Sequence, residues 1–332
     1  MRNIMKFTLI IILLTLFTYP LMAQVGVEKT AQTAMKFLSV PIGARGAGMG
    51  DAFTAVCEGA EAMFWNPAGM ARINKWDISG GYNQWLADIK HWHFDAVYNA
   101  QLIGVFGINV MYVDYGVFYS TIRSETDPSG YIDMGELKPV ALAAGVAYSK
   151  QVSDRFSFGV NLKYIRQDFG DAYVGEVDDY DTVSNEYNTF AFDFGVLYYT
   201  GIKDLRIGVS AQHISQELEY IEDEYPLPYI IKIGLAMDLL KAFGMENPSH
   251  SLTLAIDASH PRDFTERLHF GFEYWLYDMI ALRAGYKINY DEDNVSLGVG
   301  IREKITGMKV DYAYNPFGNF NAIHRISVGV GF

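Results

Sequence analysis

Apolar and polar side chains alternate along most of this chain, most plainly from Val140 to the last residue. Between Arg155 and Arg166, Phe156, Phe158, Val160, Leu162 and Tyr164 share one register, while Ser157, Gly159, Asn161 and Lys163 share the other. Between Ile280 and Tyr290 the same split sets Ile280, Leu282, Ala284, Tyr286 and Ile288 against Arg283, Gly285, Lys287 and Asn289. A period of two is that of a β-strand whose faces meet unlike surroundings. About fourteen such strands can be placed, from Trp76–Gln84 to Ala322–Phe332, and single-chain bacterial barrels need an even number. Among them are Trp92–Leu102, Arg155–Arg166 and Thr189–Thr200. A soluble sandwich also alternates. The connections argue for a transmembrane antiparallel up-and-down β-barrel, since long segments (Tyr115–Pro139, Gln167–Asn188, Ser215–Pro228) and tight ones (Ile103-Gly104, Gln151–Asp154, Glu303–Gly307) alternate along the chain. Lys241–His250 is the one longer connection on the tight side.

The first residues read as a leader. Arg2 and Lys6 precede an apolar run from Phe7 to Leu21, and Met22-Ala23-Gln24 offers a cleavage site after Ala23. Residues 1–23 are therefore expected to be a signal peptide, residues 24–75 a separate segment, and residues 76–332 the barrel. The final strand closes on Ile326, Val328, Val330 and Phe332, interleaved with Ser327, Gly329 and Gly331. A terminal aromatic on the apolar register resembles the signal that the bacterial barrel-assembly machinery reads.

Composition fits a barrel and excludes some partners. The 332 residues carry 26 Lys+Arg against 39 Asp+Glu, a net charge of −13, which speaks against nucleic acid. Tyr (23), Phe (21) and Gly (31) are abundant, as expected where half of each strand faces water and aromatics gather at the membrane interfaces. Cys57 is the lone cysteine, so no intramolecular disulfide forms, and its surroundings carry no sign of a low-pKa thiol.

Residues 24–75 show no β alternation and are rich in Ala, Gly and Met, which suggests two short helices broken by glycines. Gly43, Gly46, Gly48 and Gly50 invite comparison with a nucleotide-binding loop, but the spacing is wrong and no lysine follows. Close backbone packing of a compact plug in the lumen is the better reading. Asn66-Pro67-Ala68 fits a helix start, with Asn66 as N-cap and Pro67 at the first helical position.

The stretch GARGAGMGDAFTAVCEGAEAMFWNPAGMARI, residues 43–73, resembles the N-terminal signature of PorV/PorQ-type outer-membrane proteins. These are similar to the long-chain fatty-acid transporter (FadL-like) barrels, which share the strand number and carry an N-terminal hatch with an Asn-Pro-Ala motif. The resemblance implies that Asn66, Pro67 and Ala68 form a hatch motif within the lumen. It also implies one of two roles: passage of hydrophobic compounds, or an accessory role in type IX secretion.

Polar and charged residues fall on the register opposite the lipid-facing one: Asp95, Asn109, Lys163, Asp193, Arg206, Lys232, Asp238, Asp257, His269, Glu273, Arg283, Lys287, Arg302, Lys309 and Asp311. Mixed signs suggest an ion-paired lining, whereas a selectivity filter would segregate one sign. Acidic clusters in the predicted outer loops (Asp168 to Glu186, Glu217 to Glu224, Asp291 to Asp293) could collect Ca²⁺, but none matches an EF-hand and solvated loops are favoured. His91 and His93 share a strand face and could hold a metal with Asp95, although a structural role at the barrel rim beside Trp92 is the simpler reading. No hydrolase, zincin or redox motif is present, so no catalytic residue, metal or cofactor is assigned.

The expectation is a non-enzymatic outer-membrane barrel whose hatch gates hydrophobic small molecules, with Met49, Phe53, Met63, Phe64 and Trp65 as ligand contacts. The alternative is a type IX secretion accessory that grips exported proteins with its surface loops; an outer-membrane hydrolase comes third. Expected partners are outer-membrane lipid, the assembly machinery, and either small hydrophobic molecules or secretion-system proteins.

Overall fold

The computed structural model describes residues 32–177, 179–220 and 223–332, so the leader expected at residues 1–23 lies outside the described residues. Fourteen strands close into one antiparallel barrel. In chain order they are β1 Trp76–Gln84, β2 Lys90–Asn99, β3 Val105–Asp114, β4 Val140–Gln151, β5 Phe156–Glu176, β6 Asp179–Tyr199 and β7 Arg206–Ile214. They continue as β8 Ile230–Asp238, β9 His250–Pro261, β10 Arg267–Leu276, β11 Ile280–Ile288, β12 Val295–Arg302, β13 Met308–Phe317 and β14 Phe320–Gly331. Each strand pairs with its chain neighbours, and β1 closes on β14 from Asp77↔Gly331 to Gln84↔His324. Closure leaves no open edge in lipid, where an unpaired peptide group costs several kcal/mol.

The alternation read from the sequence is the alternation of burial. Along β11 every second residue is exposed, from Ile280 to Ile288, and the residues between are buried. Phe158, Leu162 and their register mates on β5 face outward, while Ser157, Asn161 and Lys163 are buried in the lumen. The terminal register also points out: Ile326, Val328 and Phe332 are exposed. The Phe332 ring lies 4.9 Å from that of Trp76, and its carbonyl accepts from the Lys75 and Trp76 amides at 2.7 and 3.1 Å. The last residue is thus part of the closing seam.

The long connections are more ordered than loops. β5 and β6 continue past the barrel as one ribbon to Glu176 and Asp179, with a register shift between Asp168 and Asp171. Residues 115–139 hold a hairpin of Phe118–Arg123 and Tyr131–Leu137, and Leu218–Tyr220 pairs with Asp223–Tyr225. On the tight side, the longer connection after β8 contains a short helix, Leu239–Phe243, capped by the Asp238 carboxylate.

Between residues 34 and 71 the segment preceding β1 is largely buried and packs against the inward face of the strands. The segment forms one short α-helix, Ala44–Gly48, and three 3₁₀ turns, Lys36–Ser39, Ala60–Phe64 and Pro67–Arg72, rather than two helices. Positive φ at Gly43, Gly50 and Gly59 reverses the chain too often for longer helices.

Candidate functional site: the filled lumen

The inner segment and the wall satisfy one another's polar groups. Asn66 is extended and its Oδ1 accepts from the Ala68 amide at 3.1 Å, capping the turn that Pro67 begins. Its Nδ2 donates to the carbonyls of Thr54 and of Val196 on β6, each at 3.0 Å. Ser157 on β5 donates to the Ala68 carbonyl at 3.2 Å, and Ser210 on β7 to that of Trp65 at 2.8 Å. Gln212 reaches the Phe64 and Trp65 carbonyls at 2.8 and 3.1 Å. These hydroxyls and amides supply what the broken turns leave open, since a buried carbonyl without a partner costs about 1–3 kcal/mol.

Carboxylates from the wall do the same for amides. Asp257 on β9 accepts from the Phe53 and Thr54 amides at 3.0 and 2.8 Å, and Asp77 on β1 from that of Ala60 at 2.9 Å. The approach is close enough to demand glycine on both sides. A Cβ on Gly285 of β11 would lie 2.1 Å from the Gly50 nitrogen, and one on Gly48 would lie 3.0 Å from the Gly298 Cα of β12. A Cβ on Gly195 would lie 2.0 Å from Asn66 Oδ1. Gly43 and Gly46 face Glu61 and Trp65 of the same segment.

Ion pairs of mixed sign tie the two parts together. Arg45 grips Glu273 of β10 with Nε and Nη2, both at 2.8 Å, and also pairs with Glu58. Arg283 bridges Glu273 and Asp311 at 2.7 and 2.6 Å. Lys287 joins Asp51 at 2.8 Å and Asp293 at 2.5 Å. Burial opposes ionisation of Asp51, but Lys287 beside it holds its carboxyl below the usual range. Lys163 pairs with Asp193, and Lys309 with Asp77. Most of the lumen charges are thus paired across both signs, not arranged as a ring of one sign.

The sequence-derived candidates fall into groups. Met49 and Met63 are wholly packed, and Phe53 meets Trp65 edge to face at 5.5 Å. Phe64 and Trp65 line a cavity of about 100 Å³ between the inner segment and the wall, together with Ile42, Lys232, Arg267 and Tyr290. His91 and His93 lie on the lumen face near the start of β2, His91 against Trp85 of the preceding turn; His93 Nδ1 is 2.7 Å from Asp95, while Trp92 faces lipid. Among the described residues no cluster of His, Cys, Asp or Glu suits a metal ion. Burial pushes the Cys57 thiol up to about 12, which leaves it inert. Asp238 is buried on the inward register, as expected, and also caps the short helix that follows it. Arg45, Asp51 and Glu58 were missed, because the inner segment has no periodicity to mark them. Arg325, buried beside Asn315 on β13, was missed although its register marks it as inward.

Residues 134–330, more than half of the chain, match the family of type IX secretion system membrane proteins PorP/SprF. The chain belongs to that family. The stretch that resembles PorV/PorQ proteins, residues 43–73, lies outside the matched region. No curated protein matches the sequence. Among solved structures, the CymD monoaromatic hydrocarbon channel superposes with a TM-score of 0.57 at 12% identity, covering 88% of this chain and 98% of that one. The toluene transporter TodX of P. putida gives 0.57 at 10% identity, with 88% and 98% covered. A FadL homologue of Pseudomonas aeruginosa gives 0.55 at 14%, with 88% and 99% covered. At such identity the likeness concerns the fold, that of FadL-like outer-membrane channels. The PorP/SprF barrel described here is thus an outer-membrane protein whose relatives by family and by fold are secretion components and channels.

Proposed function

We propose that this PorP/SprF protein is a closed, non-enzymatic outer-membrane component of type IX secretion, in which the inner segment, described from residue 32 to 75, plugs the lumen and the outer hairpins engage exported protein. The observation that carries the reading is the fit of the inner segment. Gly48 and Gly50 lie against wall glycines, and Arg45 and Lys287 join Glu273 and Asp51 across the contact, which supports a closed lumen. The outer ribbon of β5 and β6 and the two smaller hairpins supply a broad acidic surface, with Asp171, Asp179, Asp181 and Glu217 exposed. Purified barrel in planar bilayers should show no steady conductance, and cells lacking the protein should fail to display an exported surface protein. Steady wild-type conductance with undisturbed surface display would refute the proposal.

The second reading, passage of small hydrophobic compounds past a movable hatch, draws on one observation: the cavity between the inner segment and the wall, where Phe64 and Trp65 meet apolar wall residues. The fold shared with channels named for monoaromatic hydrocarbons and toluene supports it as well. Uptake of toluene by liposomes carrying the barrel, absent from empty liposomes, separates this reading from the first.

A further inference from the structure

The cavity that holds Phe64 and Trp65 has an uneven charge balance. Of the cations on its lining, Lys36 pairs with Asp263 and Lys163 with Asp193, while the lining carboxylate Asp51 is taken up by Lys287. Lys232 of β8 and Arg267 of β10 are left with no carboxylate within 4.0 Å among the described residues. Both rest on aromatic faces instead. The Lys232 ammonium sits 4.8 Å from the Trp65 ring, and the Arg267 guanidinium 4.1 Å from each of the Phe264 and Tyr290 rings. Arg267 Nε is buried and has no hydrogen-bond partner among the described residues. A ring face offsets only part of what a cation loses on leaving water. Two partly buried positive charges around one cavity call for an anion.

The rest of the lining gives the anion a body. Ile42, Phe64, Met111 and Ala143 form an apolar side, so a bare inorganic ion would leave it unfilled. A cavity of about 150 Å³ accepts benzene. The about 100 Å³ here suits a smaller body. We propose that this cavity binds a small organic monoanion, a carboxylate on an apolar body of about four carbons, with the carboxylate between Lys232 and Arg267 and the body against Phe64 and Trp65. The Lys36–Asp263 pair, which links the inner segment to the turn between β9 and β10, lies on the lining of the same cavity. The occupant therefore lies between the inner segment and the wall, and the inference stands apart from the secretion reading.

The test is calorimetric titration of the full barrel in a non-ionic detergent with butyrate, 1-butanol and chloride. Butyrate should bind, butanol should not, and chloride at equal concentration should not displace it. Lys232→Gln and Arg267→Gln should each weaken butyrate by at least about tenfold, while Arg302→Gln, at the far end of the lumen, should leave it unchanged. If the glutamine variants do not fold, as judged by heat-modifiable migration, the wild-type contrast between butyrate and butanol still decides, and Arg267→Lys should retain binding. Absence of butyrate binding, equal binding of butanol, displacement by chloride, or undiminished binding by both folded glutamine variants overturns the proposal.

Discussion

On β11, Leu282 and Tyr286 face the membrane, while Arg283 and Lys287, their neighbours in sequence, face the lumen and are 4% and 1% exposed. The two faces belong to one strand, yet different partners hold them. Outside, the partner is liquid hydrocarbon, which fills whatever shape the side chains leave and asks only that they be apolar. Inside, the partner is a fixed segment, so each side chain must match a particular group: Arg283 the carboxylates of Glu273 and Asp311, Gly285 the backbone of Gly50. The outer face should therefore tolerate changes of shape and reject charge, and the inner face should reject both a lost charge and an added methyl.

The largest expected effect lies inside. Arg283→Met removes the cation between two buried carboxylates; Glu273 keeps Arg45, but Asp311 loses the ion partner it has among the described residues. Breaking such a pair by removing one member costs about 3–5 kcal/mol. Leu282→Ala, one residue away, should cost less, because lipid closes over the gap. Urea titration of folding into vesicles, read by gel migration, makes the comparison. Equal midpoints for Arg283→Met and the wild type would show that the lumen pairs do not hold the structure.

Charge on the outer face comes next. Leu282→Arg should cost about 2–4 kcal/mol at the membrane midplane, falling to about 0–1 at the interfaces. Arginine placed in turn at Ile280, Leu282, Tyr286 and Ile288 should trace a peak with depth. A flat profile would mean that this face does not meet hydrocarbon.

These contrasts also explain what could be read from the sequence. Strand number, order and register were legible because a period of two records which side of the membrane wall a residue faces, whoever its partner is. Ends were less so: β5 runs on to Glu176 and β6 starts at Asp179, because the polar ribbon beyond the bilayer needs no apolar register. Inward charges such as Lys287 were legible as inward. Their partners were not, since Asp51 lies 236 residues away in a segment with no regular repeat. For His91 and His93 the inward register was likewise legible, but the contacts of His91 with Trp85 and of His93 with Phe64 were not. Asn66-Pro67 was readable as a turn start because capping is local, but the bond from Asn66 to Val196 was not.

A smaller effect is expected where the two backbones touch. Gly285→Ala puts a methyl into the Gly50 backbone, and overpacking of this kind costs about 1–3 kcal/mol. Gly80→Ala, whose new methyl would meet only the His93 carbonyl at 3.1 Å and the Phe94 ring at 3.9 Å, should cost less. The reverse order in urea midpoints would show that the inner segment yields more readily than the wall.

The smallest global effect, and the most local one, belongs to Asn66. Replacing it with Ala removes a cap worth about 0.5–2 kcal/mol. It also strips the Thr54 and Val196 carbonyls of a donor, yet breaks no bond of the barrel's strand ladder. The barrel should therefore insert and migrate normally, while amides near residues 60–72 exchange faster with solvent. Asn66→Asp separates the two roles. A carboxylate can still accept from the Ala68 amide, but it sets a negative charge against two carbonyl oxygens. If the donor bonds fasten this turn to β6, Asn66→Asp should protect residues 60–72 no better than Asn66→Ala. Full protection in the aspartate variant would show that the cap alone holds the turn and that its link to β6 is incidental.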